Sequence, residues 1–169
     1  AKSGTQFGDD VLWKSDGTAG GTALVVDLNG SSSSPLSDFT NVNGFLFFTA
    51  SNALPSLGSS LWRSDGTPEG TTLLQDLGQI NLGFADWSTN VSGMLYFSKG
   101  QGDTRELWKS DGTLNGTVAV KEIHGVESSG FNSLTNIAGK LFFSVTIVSE
   151  AELWTSDGTA AGTGKVLLD

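Results

Sequence analysis

The sequence predicts an all-β fold, a β-propeller in which four short antiparallel strands form each blade of 46–49 residues. Three observations predict this fold. One motif recurs four times at a spacing typical of propeller blades. Apolar residues stand in runs of two to four, without the roughly 3.6-residue period of a helix. Gly 23, Ser 22 and Thr 17 make up 62 of the 169 residues, which favours strands and turns.

The motif is Leu-Trp-x-Ser-Asp-Gly-Thr, and its six fixed residues are identical in every copy. The copies occupy residues 12–18, 61–67, 107–113 and 153–159. Each copy continues to a Gly-Thr pair whose Gly lies three residues further on. The tryptophans lie at positions 13, 62, 108 and 154, so the periods are 49, 46 and 46 residues. We expect each period to form one structural unit.

An aromatic pair alternates with this motif, as Phe47-Phe48, Tyr96-Phe97 and Phe142-Phe143. From each Trp to the second aromatic of the next pair is always 35 residues, whereas the distance onward to the following Trp is 14, 11 and 11. Length variation is therefore confined to residues 50–60, 98–106 and 144–152, which we predict to be surface loops. The Trp and the aromatic pair are predicted to fill the space between blades.

One period is read as four strands, and residues 39–77 illustrate the pattern. The first strand covers 39–42, and Asn43-Gly44, a strong hairpin signal, leads into the second strand at 45–49. The third strand covers 59–63, residues 64–70 form a turn, and the fourth strand covers 71–77. Residues 29–38, 78–87 and 124–133 are then predicted to connect successive blades.

This reading divides the chain into half a blade, residues 1–28, and three full blades at 29–77, 78–123 and 124–169. A β-sandwich is the alternative fold, but it does not explain a fixed 35-residue spacing. The first half-blade lacks its first and second strands, so we expect another segment or chain to supply them. An open sheet edge otherwise invites pairing, which predicts head-to-tail assembly. The expected partners are other copies of the chain or adjacent segments of a longer one.

In its last two copies the motif opens with Glu106 and Glu152, and there it resembles the ELWxxDGT repeat family of large bacterial secreted proteins. Val11 and Ser60 replace this Glu in the first two copies. The resemblance covers nearly the whole chain. It implies an extracellular or cell-surface β-propeller, usually one region of a long polypeptide, and it implies no defined reaction.

Composition excludes several classes of function. With 9 basic and 18 acidic residues the net charge is −9, which argues against nucleic acid as a partner. The absence of Cys excludes a disulfide framework and Cys-ligated metal sites. Purely apolar stretches reach only four residues, so no transmembrane helix is expected. The chain begins without Met or a secretory signal pattern, which suggests a mature chain, a processed piece or a fragment.

The repeated acids Asp16, Asp65, Asp111 and Asp157 allow two interpretations. Each carboxylate is a candidate Ca²⁺ ligand together with nearby carbonyl and Thr oxygens. Alternatively, Asp-Gly is what a tight turn requires, because Asp bonds its own backbone and Gly adopts a positive φ. The turn is favoured, since one carboxylate per loop is few for calcium. No other cofactor is expected.

Other polar residues give weaker signals. The lone His124 lacks a catalytic partner motif and is read as a solvated surface residue. Residues 162–165 resemble the end of a phosphate-binding loop, but Val166 stands where a Mg²⁺-binding hydroxyl is needed. The pairs Asp103 with Glu106 and Glu150 with Glu152 are read as solvated charges rather than metal ligands.

The favoured function is a non-enzymatic module for structure, adhesion or assembly, because the sequence shows no unrepeated cluster of catalytic residues. The alternative is a glycan-binding propeller lectin. For that function Trp87, the aromatic least explained by the repeat, would stack on a sugar ring beside Asp86 and Asn81. A secreted hydrolase is the third hypothesis. It requires Asp or Glu on the inner strands, where the sequence has Thr, Asn and apolar residues.

Overall fold

The structure is a computed structural model, and it describes residues 11–28, 36–51, 58–78, 88–100, 104–124, 126–147 and 150–167. Within these ranges the chain forms fourteen strands and no helix. It divides into two units, Ala1–Gln79 and Ile80–Asp169, and each unit holds two sheets. The boundary falls next to the predicted junction between residues 77 and 78.

Unit 1 contains a two-stranded and a four-stranded antiparallel sheet among its described residues. Sheet 1 consists of β1 (Val11–Lys14) and β2 (Ala23–Asp27). Sheet 2 consists of β3 (Ser37–Val42), β4 (Phe45–Ser51), β5 (Ser59–Ser64) and β6 (Thr72–Gly78), which are paired in that order. Each strand therefore pairs with its sequence neighbours.

Unit 2 contains two four-stranded antiparallel sheets of the same order. Sheet 3 consists of β7 (Ser88–Val91), β8 (Met94–Lys99), β9 (Thr104–Ser110) and β10 (Val118–His124). Sheet 4 consists of β11 (Val126–Ile137), β12 (Lys140–Ile147), β13 (Glu150–Ser156) and β14 (Gly164–Lys165). The all-β class and the antiparallel order are confirmed, and closure into a propeller stays a prediction.

Two sequence expectations about connections are wrong. Residues 124–133 were expected to connect blades, yet β11 begins at Val126, because Phe131 pairs with Val145 and is buried against Phe143. Two of the three predicted variable loops, residues 98–106 and 144–152, are also mostly strand. The hairpins extend until β8 and β9 are separated only by residues 100–103, and β12 and β13 only by residues 148–149. Continued backbone pairing thus places Glu106, Glu150 and Glu152 on strands.

Two-residue turns join the first and second strands of each four-stranded sheet. Asn43 and Gly44 have φ of 52° and 83°, and Val42 pairs with Phe45 across them. Positive φ at both central residues defines a type I′ turn, whose twist matches the flanking strands. The other two sheets place Ser92-Gly93 and Ala138-Gly139 in the same conformation. The Asn-Gly hairpin prediction is confirmed, and the turn also forms with Ser or Ala in place of Asn.

The second aromatic of each pair lies at the centre of its sheet. Phe48, Phe97 and Phe143 are buried, and they pair across strands with Trp62, Trp108 and Trp154. These three tryptophans are half-buried, so they do not fill the core as completely as the repeat pattern predicted. An indole at the edge of the core keeps its N–H near solvent or a polar partner, which limits the cost of burying it.

Neighbouring sheets within each unit share an apolar core. In unit 1, Leu12 and Val25 of sheet 1 pack with Phe48 of sheet 2. In unit 2, residues such as Leu107 of sheet 3 and Phe143 of sheet 4 form one cluster. Because Leu and Trp are adjacent in the motif, they point to opposite faces of their strand. Within each unit, the motif Leu of the first sheet (Leu12, Leu107) therefore faces the second sheet, and the Trp of the second sheet (Trp62, Trp154) faces the first.

A β-bulge recurs opposite the motif. Between the pairs Leu61–Gln75 and Trp62–Leu73 the extra residue Leu74 has no partner of its own. Val25 and Val120 are the extra residues at the same place in β2 and β10. All three side chains are buried. At Val25 and Val120 the bulge adds an apolar side chain to the core shared with the second sheet of the same unit. An unpaired residue of this kind also bends and twists its strand.

Candidate functional site: the repeated SDGT turn

The most repeated polar group is the segment of eight residues that joins the third and fourth strands. We call it the SDGT turn, and its copies are residues 15–22, 64–71, 110–117 and 156–163. In the third copy Asp111 accepts two hydrogen bonds at Oδ1, from the backbone N–H of Thr113 at 2.8 Å and from its hydroxyl at 2.7 Å. The Thr113 hydroxyl in turn accepts from the N–H of Gly116 at 2.9 Å. The carboxylate therefore closes the first half of the turn.

Hydrogen bonds of the Ser and Thr hydroxyl groups close the second half of the turn. Ser110 Oγ accepts from the N–H of Gly112 at 3.1 Å and lies 2.8 Å from the hydroxyl of Thr117. The Thr117 hydroxyl donates to the carbonyl of Thr113 at 2.7 Å, so the Ser110 hydroxyl supplies the proton of the bond between the two side chains. Ser, Asp and both Thr are thus linked in one network, which explains why these residue types recur together.

All four copies contain the same six hydrogen bonds. The distances in the first copy run from 2.7 to 3.0 Å. Those in the second copy run from 2.7 to 3.0 Å. Those in the fourth copy run from 2.6 to 3.0 Å. A pattern that survives in four sequence settings belongs to the turn itself, as local side-chain to backbone bonding would produce.

Glycine is required twice in this turn, for different reasons. Gly112 has a φ of 91°, and its counterparts at 17, 66 and 158 have φ of 92°, 86° and 87°. Side chains disfavour that conformation. A Cβ at Gly116 would lie 2.0 Å from Asp111 Oδ1, because the carboxylate packs over the glycine. Gly21, Gly70 and Gly162 face their own Asp at 1.9–2.1 Å. The Gly of the Gly-Thr pair therefore makes room for the carboxylate.

The hydrogen bonds favour the charged form of these carboxylates. The pKa of Asp16 lies below its usual value, chiefly because the backbone N–H of Thr18 bonds to it. The pKa values of Asp65 and Asp157 are also lowered, in each case first by the hydroxyl of the following Thr. The turn is thus built around an ionised Asp.

The geometry supports the turn interpretation of the repeated Asp. One carboxylate oxygen in each copy already accepts two hydrogen bonds from Thr. In the part of the chain that the structure describes, no three His, Asp or Glu residues come together as metal ligands would. A structural Ca²⁺ at Asp16, Asp65, Asp111 or Asp157 stays a hypothesis that the observed bonding does not require.

Burial differs between the copies although the hydrogen bonds do not. Ser110 and Thr117 in the third turn are 0% and 5% exposed, and the fourth turn is similar. Ser15 and Thr22 in the first turn are exposed. The cover must come from outside the turn, since the internal bonding is the same.

Lysines from the preceding sheet contribute part of this cover. Lys109 on β9 donates to the carbonyl of Gly158 in the fourth turn at 2.8 Å. In unit 1 Lys14 on β1 donates to the carbonyl of Gly66 in the second turn, also at 2.8 Å. Both lysines directly follow the motif Trp, a position that is Arg63 in the second copy. The repeated basic residue is the sequence signal for this contact, which was not predicted from the sequence.

Further contacts join sheets 3 and 4 around the fourth turn. Lys121 Nζ donates to the carbonyl of Thr163 at 2.7 Å and lies 6.0 Å from the ring centroid of Trp154. The hydroxyl of Tyr96 lies so close to Gly158 that a Cβ there would approach it to 2.2 Å. Burial raises the pKa of Tyr96, and the charge of Asp157 raises it further. The fourth SDGT turn therefore closes its own hairpin and is also contacted by side chains of sheet 3.

The Glu that opens the last two copies of the motif also has a structural partner. Glu106 Oε2 accepts from the indole N–H of Trp108 at 2.9 Å, and Glu152 Oε2 accepts from Trp154 at 3.0 Å. Residues i and i+2 share one face of a strand, which allows this bond. Glu152 also pairs with Lys165 at 2.7 Å, and this bond lowers the pKa of Glu152. These glutamates are bonded, so the solvated-charge interpretation is wrong for them.

Among the other candidate residues, only some lie in the part of the chain that the structure describes. His124 is 75% exposed at its side chain and has Glu122 at 3.8 Å. Trp87, Asp86 and Asn81, proposed for sugar binding, lie outside the described residues, and so does Asp103. Asp38, which the predicted strand bounds left out, lies on β3, where its Oδ2 accepts from the hydroxyl of Thr49 at 2.7 Å.

Comparisons of the chain with protein-family models and with curated proteins return no match. Among the described residues, none belongs to a helix long and apolar enough to cross a membrane.

Proposed function

We propose that this chain is a non-enzymatic β-propeller repeat module of the extracellular space or cell surface, which serves structure, adhesion or assembly. The observation that carries the proposal is the use of the invariant residues. In every copy the Ser, Asp and Thr side chains bond within the SDGT turn, and the Leu is buried in the first three copies. Residues conserved between repeats therefore hold the scaffold together.

The contacts between sheets support a role in assembly. In each unit a lysine of one sheet reaches a turn carbonyl of the next. In each unit, the first sheet thus contacts the second through an apolar face and a lysine. Stacked units that contact only their neighbours are typical of repeat proteins, whose stability comes from such interfaces.

The extracellular location rests on the resemblance of the motif to the ELWxxDGT repeat. The closure of the sheets into a propeller rests on the blade-like strand order and the period of 46–49 residues. Partners are expected to be other copies of the chain or adjacent segments of a longer one.

The proposal predicts neither glycan binding nor enzymatic turnover, and both are measured to test it. The intact chain is applied to a glycan array and to chromogenic glycoside, ester and phosphate substrates. We expect no saturable binding and no turnover above a heat-denatured control. Turnover would overturn the non-enzymatic proposal. Binding to a glycan that is lost in Trp87→Ala but kept in Trp13→Ala, at an exposed tryptophan of sheet 1, would establish the lectin instead.

Calcium is tested separately by thermal unfolding. We expect the same midpoint with millimolar Ca²⁺ and with a chelator, because the Asp oxygens already have hydrogen-bond donors. A midpoint raised by Ca²⁺ in the wild type but not in Asp111→Asn would show that the turn holds the metal.

A further inference from the structure

The two interfaces between sheets are built on one plan. Leu12 of sheet 1 is buried with Phe48 of sheet 2, and Leu107 of sheet 3 is buried with Phe143 of sheet 4. The Leu of one sheet thus meets the second aromatic of the next. The Trp paired with that aromatic lies on the same face, turned toward the preceding sheet.

The chain also exposes one example of each face. Leu153 of the last copy is 44% exposed, whereas the three earlier motif leucines are at most 7% exposed. Trp13 of the first copy is 56% exposed, whereas the three later tryptophans are half-buried. We name these the Leu153 face of sheet 4 and the Trp13 face of sheet 1. They present the motif Leu and the motif Trp that meet at the interface within each unit; the described residues of sheet 1 hold no counterpart of Phe48 or Phe143.

The chemistry of the Leu153 face differs from that of the internal interfaces. Thr155 stands at the position of Lys109, and Leu167, 82% exposed, stands at the position of Lys121. Thr155 donates to the carbonyl of Leu141 in its own sheet. The two lysines that join sheet 3 to the next turn are therefore missing from sheet 4. By strand alternation Lys140 and Ser144 share this face with Leu153. Its exposed apolar groups are Leu153 and Leu167, which fit an apolar partner such as an exposed indole.

We propose that the Leu153 face of one copy of the chain docks on the Trp13 face of a second copy, head to tail. This inference rests on the proposed assembly function and names its surface. The contact would repeat the Leu and Trp part of the internal arrangement, with Leu153 in the role of Leu107 and Trp13 in the role of Trp154. Two different patches meet in such a contact, so the assembly grows or closes into a ring rather than stopping at a two-fold dimer.

The mass of the intact chain in solution is the first test. Sedimentation velocity over a hundredfold range of concentration should show mass that rises above the monomer. Trp13→Asp and Leu153→Asp should each return the protein to the monomer mass. Both side chains are exposed, so circular dichroism and the melting temperature at low concentration should match the wild type. Leu114→Asp is the matched control, because Leu114 is 68% exposed in a turn and should leave association unchanged.

Mixing the two variants tests the head-to-tail geometry. Trp13→Asp keeps an intact Leu153 face, and Leu153→Asp keeps an intact Trp13 face. An equimolar mixture should therefore form a complex of twice the monomer mass and nothing larger. Failure of the mixture to associate, or loss of association in only one of the two variants, would overturn the proposed pairing of faces.

A gain of affinity provides the converse test. Thr155→Lys places a lysine where Lys109 donates to the Gly158 carbonyl, and the corresponding carbonyl of the second copy is that of Gly17. We expect association about tenfold tighter, the effect of one charge-assisted hydrogen bond. Unchanged or weaker association in Thr155→Lys would contradict the docking arrangement.

A wild-type chain that remains monomeric at every concentration would overturn the docking proposal. That result would leave the non-enzymatic scaffold standing, since the scaffold fails only through glycan binding or turnover. The two proposals therefore fail in different assays.

Discussion

The first and third SDGT turns have the same hydrogen bonds in different surroundings. In residues 15–22 and 110–117 the same six bonds form, at 2.7–3.1 Å. The hydroxyls of Ser15 and Thr22 are exposed, whereas those of Ser110 and Thr117 are buried. The comparison teaches that the local sequence sets the bonding of the turn. Packing around the turn sets how much each bond contributes to stability.

The largest expected difference between buried and exposed copies is at the motif leucine. Leu107→Ala should lower the free energy of unfolding by about 2–5 kcal/mol, because it opens a cavity in the core between sheets 3 and 4. Leu153→Ala should cost less than about 1 kcal/mol in dilute solution, since that side chain is 44% exposed. Urea denaturation followed by Trp fluorescence measures both. Equal losses would contradict the assignment of faces.

Loss of the turn serine should also lower the free energy of unfolding more in a buried copy than in an exposed one. Both losses should be smaller than that of Leu107→Ala. Ser110→Ala leaves the buried N–H of Gly112 without its acceptor, so we expect a loss of about 1–3 kcal/mol. In Ser15→Ala water can replace the hydroxyl at an exposed site, and the loss should be about 0.5 kcal/mol or less. Thermal and urea unfolding of the two variants decide this. A larger loss for Ser15→Ala would show that burial does not govern the contribution.

The lysine contacts between sheets provide a third comparison. Lys109→Met removes a half-buried bond to the Gly158 carbonyl and should destabilise unit 2 by about 1 kcal/mol. Lys14→Met removes an exposed bond of the same length and should cost only a few tenths, about 0.3 kcal/mol. Glu122→Gln, an exposed charge change, is the control. Hydrogen exchange of the β9 and β13 amides would localise the effect.

Acid should weaken every turn whose Asp has a lowered pKa. The folded-state pKa values of Asp16, Asp65 and Asp157 lie below those of the unfolded chain, so these groups stabilise the fold fully above about pH 4. This contribution is lost as the pH falls through the folded-state values. Denaturation midpoints measured between pH 7 and pH 2 should therefore decline below about pH 4. The decline should be smaller in Asp157→Asn, and an unchanged slope would contradict the role of this carboxylate.

A gain of stability is expected at a hairpin turn. Ala138 has a φ of 51° in a type I′ turn where Asn43 occupies the same position in sheet 2. Ala138→Asn should stabilise the protein by about 0.5–1 kcal/mol, because Asn tolerates the left-handed conformation better than Ala. Asn43→Ala should lose a similar amount. Thermal unfolding measures the change in melting temperature of each variant. Changes of the same sign in both variants would contradict the turn assignment.

Local patterns predicted much of this fold. The Asn-Gly pair fixed a type I′ turn at 43–44, and the Asp-Gly pair fixed the SDGT turn, because both depend on contacts within a few residues. The starts of β4 and β5 agree with their predicted positions. The role of the repeated Asp as a turn residue was likewise readable from the sequence, since its acceptor geometry is local.

Contacts between distant residues were not readable in this way. The extension of β11 to Val126 depends on pairing with β12, and the pattern of residues 124–133 alone did not show it. The bonds from Lys109 to Gly158 and from Lys14 to Gly66 join residues 49 and 52 positions apart. From the sequence alone, a lysine after Trp is indistinguishable from a solvated surface charge. Its partner is a carbonyl of the neighbouring sheet, which the sequence pattern does not reveal.

The sequence by itself determined the strand order and the bonding inside each turn, because these interactions lie within one repeat. Only the tertiary structure decided which Leu and which Trp are covered. Leu107 and Leu153 have the same neighbours in sequence, Glu before and Trp after, yet one is buried and the other is 44% exposed. Burial of a side chain depends on the sheet packed against it, and the sequence of the motif does not determine whether such a sheet is present.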